Sequence, residues 1–193
     1  MSNLEITSKD RVLIVAIDRI ERKNAVDLQT AKELYQAFLD FDRNENFDVA
    51  ILTGKGGAFC AGADLKALGG EDFQSRVSDG GEGTFAPMGV SRMELSKPVI
   101  AAIEGHAVAG GMELALWCDL RVMAEDAIMG IYCRRFGVPL IDMGTIRLPR
   151  LIGQSRAVDL ILTGRLVDAK EAHAIGLANR IVPSGDTLDH AMK

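Results

Sequence analysis

The sequence predicts a single α/β domain, and three observations carry that prediction. Residues 12–54 read as strand, helix and strand with short connections. A second buried apolar run, Pro98-VIAAI, passes through a glycine turn into the helical pattern Met112-ELALW. The chain has 193 residues, 48% of them apolar and 25% charged, which is enough for one substantial core and too apolar for disorder. Strand, helix and strand joined by short connectors make a right-handed crossover. The net charge of −5 argues against a nucleic-acid surface. Cys60, Cys118 and Cys133 are an odd count with no CxxC spacing, so reduced thiols fit better than disulfides or a zinc site. The N-terminus MSNLEITSKD is too polar for a secretory signal, and no apolar run reaches the length of a membrane span, so a cytoplasmic location is expected.

The elements follow in order. Leu4–Ser8 and the β-branched run Val12–Asp18 are expected to form a hairpin. Arg19-IERKNAV is a polar loop. Asp27 is a helix N-cap, because Leu28, Ala31, Leu34, Tyr35, Phe38 and Leu39 then share one face of a helix ending near Arg43. Asp48-VAILTG is a buried strand. Gly54-KGGAFCAGADLKAL is a glycine loop with a helical turn at Leu65; it is neither a Walker A motif nor a dinucleotide fingerprint. On its own it also reads as an ordinary connection. The glycine-rich stretch 69–89 is expected to be a mobile surface insertion, with one helical turn around Phe73, serving either as a binding loop or as a variable segment without a role. Val90-SRMELS is expected to be a helix that stops before Lys97-Pro98.

Farther on, Leu120-RVMAE and Ala127-IMG are expected strands, and Ile131–Gly144 is a loop. Thr145-IRLPRLIG is a short helix around Pro149. Ser155 is an N-cap candidate for a helix ending at Gly164. Asp168 and Glu171 form a capping box, with Gly176 closing that helix. Leu177-ANRIVP is a last strand. Thr187-LDHAMK begins a helical pattern too short to stand alone.

The chemistry concentrates in Ile103–Asp119, IEGHAVAGGMELALWCD. Strand, tight glycine turn and helix start in succession leave unpartnered N–H groups at a helix N-terminus, where the dipole favours negative charge. Glu113 lies one turn inside. Donors for an anion beside a general base make a catalytic arrangement; a buried helix capped by glycines, with Glu113 as a paired acid, is the other reading. His106 stands at the mouth of the turn, where it either lines a pocket or serves structure. His173 and His190 have no metal-ligand partner at i+4, and no metal is implied.

GGAFCAGADL together with GHAVAGGMELALWCDLRV resembles the crotonase superfamily, to which enoyl-CoA hydratases and isomerases belong. RKNAV and LTGRLVDAKEAHAIGLANRIVP extend the likeness over essentially the whole chain. The resemblance implies a spiral of ββα units forming two roughly perpendicular sheets ringed by helices, in one domain spanning 1–193. It also implies a C-terminal helical segment that is truncated after 186, and a homotrimer or homohexamer.

The implied substrate is an acyl-CoA thioester. Coenzyme A enters only as part of that substrate, with no further cofactor. The main-chain N–H groups of Ala63 and Gly110 are implied to form an oxyanion hole for the enolate oxygen. Glu113 aligns with one catalytic glutamate. The second falls at Cys133, where a thiol stands in place of a carboxylate; a packed, inert thiol is the alternative. Asp142 resembles a further carboxylate of the dienoyl-CoA isomerase branch, against the alternative of an ion pair with Arg134, Arg135 or Arg147. Arg22, Lys23, Ala25, Ala61, Asp64, Leu65 and Lys66, with Ala63 and Gly110, are the implied substrate- and CoA-binding positions. The expected activity is enoyl-CoA hydration or isomerisation in fatty acid metabolism. Dienoyl-CoA isomerisation, thioester hydrolysis, carbon–carbon cleavage and a non-catalytic acyl-CoA-binding role are the alternatives.

Overall fold

The computed structural model describes residues 2–67 and 85–193. The helical turn expected around Phe73, and most of the insertion expected over 69–89, lie outside the described residues.

Among the described residues, six strands form one sheet in the order β1-β2-β3-β4-β6-β9. They are β1 (Leu4–Lys9), β2 (Val12–Ile17), β3 (Val49–Gly54), β4 (Val99–Ile103), β6 (Leu120–Ala124) and β9 (Arg180–Val182). β1 and β2 make the expected antiparallel hairpin, and every later pairing in this sheet is parallel. A smaller sheet orders β5 (His106–Val108), β7 (Ile128–Gly130) and β8 (Leu166–Asp168) as β5-β7-β8. The α/β class and the two-sheet arrangement are therefore as expected.

The central strands read as continuous apolar runs because both faces of the large sheet are covered. Side chains alternate between faces. Ala50, Leu52, Ala101, Ile103 and Met123 enter the main core with α1 (Leu28–Arg43) and α2 (Gly110–Trp117). Ile51, Ala102, Val122 and Val182 point the other way, where Ala191 packs on them. That second layer explains how the short helix Thr187–Ala191 persists. Thr187 and Ala191 are buried, and Glu104 accepts hydrogen bonds from the Thr187 hydroxyl at 2.7 Å and the Gly185 amide at 3.1 Å.

Helix α1 follows its sequence signals: the Asp27 side chain accepts from the Thr30 amide at 2.8 Å, and Ala31, Leu34 and Phe38 are fully buried. Helix α3 (Cys133–Phe136) lies within the stretch expected to be a loop. Helices α4 (Gly144–Ile152), α5 (Gln154–Thr163) and α6 (Ala169–Ala174) follow.

Four local expectations are corrected. Val90–Ser96 forms turns, not a helix: Val90 and Ser91 are buried, the Ser91 hydroxyl donates to Asp142, and the Met93 carbonyl accepts from the Trp117 indole at 3.0 Å. These long-range partners pull the segment out of helical register. Ser155 lies inside α5, whose N-cap is Gly153. The capping box is half made: Asp168 accepts from the Glu171 amide, but the Glu171 carboxylate pairs with Arg165 at 2.6 Å. Strand β5 occupies part of the stretch read as a glycine turn; β8 falls between the two expected helices, where the sequence predicts no strand.

Among the described residues, Arg121 is the largest fully buried side chain. Its guanidinium donates to the carbonyls of Leu177 and Cys118, each at 2.7 Å, and ties the end of α2 to the approach to β9.

Candidate active site

Two turns from distant parts of the chain meet at one cavity of about 410 Å³. The first is Cys60–Ala63. It is stitched to β5 by Cys60 N–H to the His106 carbonyl at 2.9 Å and Val108 N–H to the Cys60 carbonyl at 3.1 Å. The second is the start of α2. The approach is so close that a methyl group placed on Gly62 would lie 3.0 Å from the Gly110 nitrogen, and one on Gly111 would lie 2.1 Å from the Cys60 carbonyl oxygen. Ala109 joins β5 to α2 at φ 52° and ψ −126°, a conformation that L-residues rarely adopt and that marks stored backbone strain. Its own N–H is held by the Gly130 carbonyl at 2.8 Å.

Ala63 and Gly110 both line the cavity. Among the described residues, neither main-chain N–H donates to a protein acceptor. Gly110 opens an eight-residue helix, so the partial positive charge of that terminus faces the same space.

Glu113 is 2% exposed and lines the cavity. Its Oε1 accepts from the Gly144 amide at 2.8 Å and the Asp142 amide at 3.0 Å, fixing the carboxyl between α2 and the start of α4. Burial, and then the nearby Asp142 charge, push it up from 4.5 to about 8, and the two amide donors oppose that rise. Gly144 is small by necessity, since a methyl group there would meet Glu113 Oε1 at 2.7 Å.

Asp142 is 3% exposed and lines the same cavity. Its Oδ1 accepts from the Met88 amide at 3.0 Å and from the Ser91 hydroxyl. Arg147 lies close enough to interact with its charge and donates to the Asp142 main-chain carbonyl at 3.4 Å, and Arg135 stacks on Tyr132.

Cys133 lines the cavity at the first position of α3. Burial, and then the Glu113 charge, push its thiol up to about 12, which favours the neutral thiol over the thiolate.

Of the other sequence-derived positions, Arg22, Ala25, Ala61, Asp64, Leu65 and Lys66 all border the cavity, and Lys23 does not. Lys23 takes a left-handed conformation at φ 50°, and its carbonyl accepts from the Ala61 amide at 3.0 Å. Asp64 is committed to Arg19 at 3.1 Å. His106 is exposed and outside the cavity wall.

Sequence reasoning missed Asn24, which is buried at φ 57°. Its amide donates to the Lys55 carbonyl at 2.9 Å and the Ala58 carbonyl at 2.6 Å, holding the Arg22–Ala25 rim against the glycine loop. It also missed Ser91, which donates to Asp142 from outside the cavity lining, and the lining residues Met88, Tyr132, Phe136, Val138 and Ile141. None of these carries a local pattern that would single it out.

The enoyl-CoA hydratase/isomerase family matches residues 7–193. A solved enoyl-CoA hydratase from Mycobacterium tuberculosis H37Rv is 40% identical and superposes with a TM-score of 0.91, covering 100% of this chain and 73% of its own. An enoyl-CoA hydratase structure from Bacillus anthracis gives 37% identity and a TM-score of 0.87 over 99% of this chain and 74% of its own. Carnitinyl-CoA dehydratase of Proteus mirabilis is 36% identical over 190 residues, covering 98% of this chain and 71% of its own. With a matching fold, a family match over nearly its full length and a cavity bordered by the motifs that define the likeness, this chain belongs to the enoyl-CoA hydratase/isomerase family of enzymes, within the crotonase superfamily.

Proposed function

We propose that the protein binds an acyl-CoA thioester, holds its carbonyl oxygen at the main-chain N–H groups of Ala63 and Gly110, and moves protons with Glu113. The observation that carries this reading is that Ala63 and Gly110, whose main-chain N–H groups donate to no protein acceptor among the described residues, border the same cavity as Glu113. As the α carbon loses a proton, charge collects on the thioester oxygen. Two fixed donors and the α2 terminus stabilise that charge, one such donor being worth roughly 3 kcal/mol in comparable sites. Glu113, poised near 8, is close to the pH at which a carboxyl both takes and returns a proton efficiently. Leu65, Met88, Tyr132, Phe136 and Ile141 give the acyl chain an apolar wall, and Arg22 and Lys66 at the rim supply positive charge for the CoA phosphates.

Crotonyl-CoA hydration and 3-enoyl-CoA isomerisation by wild type and Glu113→Gln test the proposal. Loss of about 10²-fold or more is expected; unchanged turnover removes Glu113 from the chemistry.

One observation favours a second reading. The neutral thiol of Cys133 cannot help hold a water molecule as a carboxylate would, whereas Asp142 borders the cavity beside Glu113. Transfer of a proton from one carbon to another along the acyl chain, with Glu113 and Asp142 as the two carboxyl groups, then replaces water addition. Asp142→Asn and Cys133→Ala, compared on several acyl-CoA esters, separate the two readings. Calorimetric binding with no turnover on any of them would indicate a binding protein.

The exposed apolar side chains Phe136 on α3 and Leu162 on α5 support assembly into a homotrimer or homohexamer, which light scattering checks. Among the described residues, no helix is long and apolar enough to cross a membrane.

A further inference from the structure

We infer that Ser91 is a positioning residue for this site: its buried hydroxyl, together with the Met88 amide, clamps one oxygen of Asp142 and fixes how that carboxylate meets Glu113 at the cavity. The inference rests on the reading of Glu113 as the proton-transfer group.

Ser91 is fully buried, and its hydroxyl donates to Asp142 Oδ1. The Met88 amide donates to the same oxygen at 3.0 Å. Met88 also touches the other half of the site, because a methyl group on Gly110 would lie 2.8 Å from Met88 Sδ. The turn is anchored from behind: Gly89 sits at φ 79°, and a methyl group there would lie 2.3 Å from the Ala31 carbonyl oxygen in α1. A rigid turn thus delivers two neutral donors to one carboxylate oxygen and packs against the start of α2.

Other charged or titratable groups face the pair from every neighbouring element. Cys133 on α3 and Arg147 on α4 adjoin both carboxyl groups; Glu94 and Cys118 face Arg147; Arg22, Asp64 and Lys66 border the cavity. Donors to a carboxylate favour its ionised form. The clamp therefore places the negative charge on Asp142 and leaves the proton on Glu113. Without it, the first proton leaves the pair less readily. The second step stays where it is as long as Asp142 still ionises first.

Carboxyl-¹³C NMR titration of the free protein reads this without turnover. In Ser91→Ala the lower titration step of the pair is expected to rise by about one pH unit, while the upper step stays near 8. Ser91→Cys, similar in shape but a weaker donor, is expected to fall between. Asp142→Asn removes the neighbouring charge and is expected to lower the upper step. The acidic limb of the pH–kcat profile should move with the lower step, with KM little changed. A purely structural serine would lower the melting temperature and leave both steps in place. An unmoved lower step in Ser91→Cys, or in a folded Ser91→Ala, overturns the inference, as does an unmoved upper step in Asp142→Asn. Full turnover in Glu113→Gln alongside a shifted titration in Ser91→Ala would instead overturn only the functional reading.

Discussion

Glu113→Gln is expected to stabilise the protein, and to do so increasingly as pH rises. Folding lifts the Glu113 carboxyl from 4.5 to about 8, chiefly through burial. Below about 4.5 the carboxyl is neutral in both folded and unfolded chains, and the shift has no effect on stability. Between the two values the unfolded chain releases the proton and the folded chain keeps it, so stability falls as pH rises. Above about 8 the loss is complete. At 1.36 kcal/mol per pH unit the full span corresponds to about 5 kcal/mol. Glutamine has no such titration, and its oxygen still accepts from the Asp142 and Gly144 amides that now hold Glu113 Oε1. Urea unfolding of both proteins at fixed protein concentration, from pH 4.5 to 8.5, measures the difference. The stability gap should widen steadily toward alkaline pH with unchanged m-values. Parallel curves would show that folding does not raise the Glu113 carboxyl, and the assignment of Glu113 as a near-neutral acid/base would lose its physical basis.

Two further outcomes follow from the packing. Gly111→Ala puts a methyl group 2.1 Å from the Cys60 carbonyl oxygen, a backbone atom that cannot swing aside; a loss of about 3 kcal/mol in urea unfolding is expected, with weaker acyl-CoA binding as the two turns separate. Cys60, Cys118 and Cys133 are all buried with thiols pushed up to about 12. The native protein at pH 8 should therefore react negligibly with Ellman's reagent and release its full thiol equivalent only in denaturant. Rapid native labelling of Cys133→Ala and wild type to different extents would show Cys133 to be accessible after all.

Much of this enzyme is written locally. Leu28–Arg43 becomes a helix because its apolar residues recur on one face and Asp27 caps it. The runs at Val49–Gly54 and Val99–Ile103 become parallel strands because they are apolar on both faces. Gly110 and Glu113 stand out as candidates because a glycine turn leads into a helical pattern, while the roles proposed for them come from the family likeness. What the local pattern does not contain is which distant segments meet. Strands β5 and β8 are three residues each, too short to show a period, and exist only because β7 lies between them. Val90–Ser96 has the composition of a helix and is drawn into turns by Asp142 and Trp117. The partners of Asp142 could not be read from its neighbours in sequence, since arginines nearby offered an equally good local pairing while the serine that holds it is 51 residues away. Spacing and caps act over a few residues and are set by the chain itself. The charge state of a buried carboxyl depends on which donors folding brings to it, and only the tertiary structure decides that.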